Sequence, residues 1–109
     1  MSTLFTTALE PFLHIVGQTS VLDEFYGYDY IGCKYMVVGI SSSGTVEVNE
    51  FLVIHDFTSA QLSNIITTSN RSPTVMTFTT AFLRDHVRLT LTTTHSLKIR
   101  VYKTCIPTQ

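Results

Sequence analysis

A chain of 109 residues has room for one domain with one core and not for two. Only 14% of it is charged and the formal net charge is −1, so the clustered Lys and Arg that nucleic acid or an anionic membrane surface would need are missing. No apolar run approaches the ~20 residues of a membrane-spanning helix, and no secretory-signal pattern opens the chain. Threonine, about one residue in six, takes the place of the absent charges, and its branched side chain favours pleated strands.

Residues 1–18 carry one acidic residue, Glu10, and no Lys or Arg, yet they are rich in apolar side chains. Pro11 forbids one continuous helix through them. A solvated tail has the opposite composition. Residues 1–18 are therefore read as an N-terminal arm on a domain spanning 19–109. Leu4, Phe5, Leu9, Phe12, Leu13 and Ile15 are its candidate assembly contacts on a neighbouring subunit. The alternative is a short extra strand near residues 14–16 that closes the domain's own edge.

Strands are expected over 20–26 and 33–41, the second alternating Tyr35, Val37 and Gly39 against Lys34, Met36, Val38 and Ile40. A Ser-Ser-Ser-Gly turn over 41–44 leads into 45–56, the longest strand-like run. There Val46 and Val48 alternate with Glu47 and Asn49, which predicts one dry face and one wet face. From 51 to 54 both faces turn apolar, as in a strand covered on two sides or one whose phase slips at a bulge near 49–50. Phe51, Leu52, Val53 and Ile54 are the candidate oligomer interface. Glu47 and Asp56 are expected near the strand ends, keeping an edge soluble.

Residues 59–64 are the one helix candidate, a single turn, followed by a short strand over 63–69 and a break over 70–73. The segment 74–83 sets Met76, Phe78 and Phe82 against threonines. The last two strands are the clearest, with Val87, Leu89 and Leu91, then Leu97, Ile99 and Val101, facing inward. Seven to eight short strands with turns about every ten residues predict an all-β fold, an antiparallel β-sandwich or jelly roll.

Chemistry is poorly signalled. The four histidines sit at no metal-ligand spacing, phosphate loops and a nucleophile elbow are absent, and catalysis, metal and cofactor binding are not expected. Cys33 and Cys105 are too few for a disulfide framework and match no zinc pattern, so free thiols are expected, with a bridge between them as the alternative. Tyr26, Tyr28, Tyr30 and Tyr35 are core or interface residues, or else a platform for stacking on sugars.

The blocks VLDEFYGYDYIGCKYMVVGIS, EFLVIHD, HVRLTLT and VYKTCI, in that order, resemble a small β module of structural proteins of tailed bacteriophages, notably those infecting cyanobacteria. The likeness covers about residues 20–106. It departs from the module between 57 and 73, where FTSAQLSNIITTSNRSP replaces a segment that usually carries glycine and tyrosine. The resemblance implies a virion structural protein, assembled in the host cytoplasm and without enzyme activity. The expected role is a capsid decoration or cement protein, a homotrimer bound to the major capsid protein, with no nucleic acid, membrane or small-molecule partner. A tail, neck or fibre component with receptor or glycan affinity is the alternative.

Overall fold

The alternating segments form strands throughout the computed structural model, which describes residues 7–70 and 74–109. In chain order they are β1 (Thr7–Ala8), β2 (Phe12–His14), β3 (Thr19–Tyr26), β4 (Tyr30–Ile40), β5 (Val46–His55), β6 (Ala60–Ser69), β7 (Met76–Leu83), β8 (His86–Thr93) and β9 (Leu97–Pro107). They make two antiparallel sheets, one ordered β1-β9-β4-β5-β6 with β2 also on β9, the other β3-β8-β7. The fold is a β-sandwich. Among the described residues there is no helix, because the segment proposed for one pairs with β5 instead, Leu62 opposite Val53 and Gln61 opposite Ile54.

The inner faces meet as the period-2 patterns require. Tyr35, Val37, Phe51, Val53, Leu97 and Ile99 of the large sheet pack on Val87, Leu89 and Leu91 of the small one, all essentially inaccessible. Tyr35 stacks on Phe51 at 5.6 Å between ring centroids, and Phe51 meets Phe78 at 4.6 Å.

Strand β5 reverses the expected polarity of its first half. Glu47 and Asn49 face inward and Val46 faces solvent. Glu47 is wholly buried and accepts three hydrogen bonds, from the Val75 N–H (2.8 Å), the Met76 N–H (3.2 Å) and the Asn49 side-chain amide (2.8 Å). Asn49 in turn accepts from the Thr67 hydroxyl at 2.7 Å. The carboxylate thus anchors the start of β7 to the large sheet, where the chain has just crossed between layers. It is an internal tie, not an edge charge.

The bulge foreseen near 49–50 lies in the partner strand. Alternation in β5 is unbroken from Glu47 to His55, whereas Glu50 faces Ile66 and Phe51 faces Asn64, leaving Ile65 as the extra residue on β6.

The cysteines are not free. Cys33 of β4 lies directly opposite Cys105 of β9, their Cα atoms 4.0 Å apart, and the two are bridged. Seventy-two positions separate them in sequence, so only the β4–β9 register brings them together.

A second tie joins the layers at β3. A bulge between Val21 and Asp23 turns Asp23 toward the large sheet, where it accepts from the Tyr35 hydroxyl (2.7 Å) and the Lys103 ammonium (2.9 Å). Burial, reinforced by the Asp23 charge, pushes the Tyr35 phenol far above its usual range, so it stays a donor.

Residues 7–18 lie along the domain's own edge. Phe12 pairs with Ile99 and His14 with Leu97, so the edge strand runs over 12–14 rather than 14–16. His14 is buried, its Nδ1 hydrogen-bonded to the Ser20 hydroxyl at 2.7 Å and its Nε2 buried with no hydrogen-bond partner among the described residues. Burial lowers its pKa, partly offset by the Gln18 backbone nearby. The unfolded chain therefore protonates first as pH falls, so this contribution to stability is intact above about pH 6.5 and is lost progressively below it. Denaturation midpoints at pH 7.5 and 5.5 are expected to differ less in His14→Gln than in the wild type; an unchanged difference would exclude His14 as the source.

Candidate functional site

The two outer faces of the sandwich differ in chemistry. That of the small sheet is clad mostly in polar side chains, Val21 of β3 excepted: Thr77 pairs with Thr92 and Thr79 with Thr90, and Arg88 donates to Glu24 at 2.7 Å. This is a face made for water. The outer face of the large sheet carries Met36, Val38 and Ile40 from β4 and Val46, Val48, Leu52 and Ile54 from β5; Val38 lies opposite Val48 and Ile40 opposite Val46, while Met36 faces Glu50 and Leu52 faces Lys34. Ile40, Val46 and Ile54 are well exposed. The ion pair within this field is Lys34 with Glu50 at 3.4 Å, and Lys98 and Arg100 stand exposed along the β9 side. The ion pair separates an apolar patch of Val38, Ile40, Val46 and Val48 from Leu52 and Ile54, and clustered apolar surface of this kind marks an interaction face more often than scattered single residues do.

The four residues singled out on β5 divide by parity. Phe51 and Val53 are fully buried in the protomer's own core and leave no side chain for a neighbour, because odd-numbered positions of β5 point inward. Leu52 and Ile54 lie on the outer face, and only they keep surface to offer. Of the arm residues, Leu4 and Phe5 lie outside the described residues. Leu9 and Phe12 pack against the domain's own core. Leu13, 66% exposed, and Ile15 remain open to solvent. Leu13 and Ile40 border a groove of about 490 Å³ with Lys98 on its margin.

A second distinctive region lies at the end of the sandwich where β3 turns into β4 and β5 into β6. Tyr35 belongs to the core, so the tyrosine cluster reduces to Tyr26, Tyr28 and Tyr30. Phe57 completes it, a residue the sequence hid in an apparently polar loop. Ring contacts run from Tyr26 to Tyr28 (6.0 Å), Phe57 (5.3 Å) and His55 (4.6 Å), then to Phe82 (5.0 Å).

Phe57 holds φ = 65°, a left-handed conformation uncommon for an aromatic residue. Its N–H donates to His55 Nδ1 at 3.1 Å, which leaves His55 Nε2 to donate to the Tyr30 carbonyl at 2.8 Å and so sets the tautomer. Gly27 makes the close approach possible, since a Cβ there would lie 3.1 Å from both His55 and Phe82.

Asp85, Asp56 and Glu24, near this end, are already engaged. His86 and the Tyr26 hydroxyl hold the Asp85 carboxyl below its usual range, and the Ser59 and Thr58 N–H groups do the same for Asp56. Arg88, with His86, lowers Glu24. Among the described residues no group of three or more His, Cys, Asp and Glu side chains could hold a metal ion. The cavity beside His55 and Asp56 encloses only about 70 Å³. His86 lies between Asp85 at 3.1 Å and Glu24 at 3.3 Å, on the surface beside these rings.

No protein-family model matches the chain, and no curated protein sequence does. Its fold is similar to part of the crystal structure of the Acinetobacter phage vB_ApiP_P1 tailspike protein, with a TM-score of 0.57 at 13% identity. The match covers 98% of this chain and 23% of the tailspike, so the chain spans less than a quarter of that protein's length.

Proposed function

We propose that this chain is a structural protein of a bacteriophage particle, acting by assembly and not by catalysis. The observation that carries the reading is the outer face of the large sheet, left apolar in the protomer while the opposite outer face is threonine-clad. An apolar sheet face of this width gains most by being covered, and identical copies around a closed axis cover it in the same way each time. The first reading of its place is the capsid: a decoration or cement protein that forms a trimer around Leu52, Ile54 and their neighbours and clamps the coat-protein shell. Leu13 and Ile15 are the exposed arm residues left to reach the shell. Many weak contacts, repeated over a shell, add up through avidity.

A second reading, a tail, neck or fibre component, is favoured by a specific observation. The similar fold belongs to a tailspike protein, and the rigid rings Tyr26, Tyr28 and Phe57 present faces on which a sugar can stack. Copy number separates the two. Quantitative mass spectrometry of purified particles is expected to find this chain in numbers comparable to the coat protein. A few copies per particle would move it to the tail, and its absence from particles would end both readings.

A further inference from the structure

The large sheet has two edges, and the chain treats them differently. Along β9 its own residues form β1 and β2 and cover the edge. The other edge is β6, which pairs with β5 and with no further strand among the described residues. β6 runs for ten residues, AQLSNIITTS, without a charged side chain or a proline. Charge and proline are two of the devices with which edge strands avoid pairing with other chains, and of such devices β6 carries only a bulge, at Ile65. The β3 edge of the small sheet has charge as well as a bulge, in Asp23 and Glu24.

Every residue from 63 to 68 is exposed, so in this stretch β6 overhangs the three-stranded sheet and is covered on neither face. Within it Ile65 and Ile66, 52% and 51% exposed, stand next to each other.

We propose that β6 is a second assembly surface, and that its occupant is the β6 strand of another copy of this chain, paired antiparallel about a two-fold axis. The argument for self-pairing is complementarity. A strand free of charge meets its own copy without stripping water from any ion, whereas a charged edge laid here would leave that charge unpaired. An axis between residues 65 and 66 aligns 62–69 of the two copies and sets each Ile65 against the partner's Ile66. Strands of that length exchange on the order of eight main-chain hydrogen bonds, within the ~10 ± 5 of a standard interface. The large sheet then runs without a break from one copy into the next. The contact adds a pairwise link to the assembly reading above and stands without it, since it is isologous and separate from any ring closed by the outer face.

Sedimentation velocity and light scattering over a concentration series test it. The wild type is expected to have twice the mass of Ile65→Lys and of Ile66→Lys. Val21→Lys, at a position on β3 with the same exposure, is expected to keep the wild-type mass. Circular dichroism checks that each variant is folded. Amide exchange in the wild type is expected to show protection along β6 that rises with concentration and is absent from the lysine variants. A wild type that stays monomeric, lysine variants that keep the full mass, or β6 amides that exchange at the same rate at every concentration would each overturn the pairing. None of these results bears on copy number in particles, so the functional reading and the edge contact fail separately.

Discussion

Replacing Glu47 with alanine is expected to lower the unfolding free energy by about 3–5 kcal/mol, a large effect for a single side chain. Three donors converge on that carboxylate: two are main-chain N–H groups at the start of β7, and the third is the Asn49 amide. Alanine removes every acceptor at once and leaves buried donors without water to replace them. Asn49 also loses its orientation, and with it the bond from Thr67 on the next strand. Glu47→Gln is the milder case, since one amide oxygen still accepts while the NH₂ group confronts a donor; a loss of about 1–3 kcal/mol is expected. Urea unfolding with an unchanged m-value measures both. Should the alanine variant match the wild type within about 0.5 kcal/mol, the link between sheets is carried elsewhere.

Opening the Cys33–Cys105 bridge is the other large effect. The two cysteines are 72 positions apart in sequence, and in the chain-entropy account closing a loop of that length contributes about 4 kcal/mol by restricting the unfolded chain. The double variant Cys33→Ala/Cys105→Ala is expected to melt on the order of 20 °C lower. Wild-type protein in reductant is expected to melt with the variant and not with the oxidised protein. A melting temperature indifferent to reductant would show that the bridge constrains nothing the β4–β9 pairing does not already hold.

Much of the sandwich was legible because strand formation is local. The alternations in β4, β8 and β9 put Tyr35, Val37, Val87, Leu89, Leu91, Leu97, Ile99 and Val101 on inner faces, and all of them are buried. The candidate assembly surface was legible only in part. The apolar run over 51–54 announced extra hydrophobic surface, but its parity sends Phe51 and Val53 into the core and leaves Leu52 and Ile54 outside. The continuation of that surface through Met36, Val38 and Val48 comes from strand neighbours, which no single segment reveals.

By itself, then, the sequence determined the strand class, the spacing of the strands, the polar cladding of one outer face and the want of clustered charge. Each of these follows from composition or from a period of two. The tertiary structure alone decided which side of β5 is dry, because Glu47 is tolerated inside only where the N–H groups of Val75 and Met76, 28 and 29 positions away, come within reach. It likewise decided that Cys33 meets Cys105, that Phe57 joins the tyrosines and that β6 has β5 as its one partner strand among the described residues. In each case the deciding neighbour is remote in the chain, and a hydrogen bond or a ring contact depends on distance in space, which a linear pattern does not record.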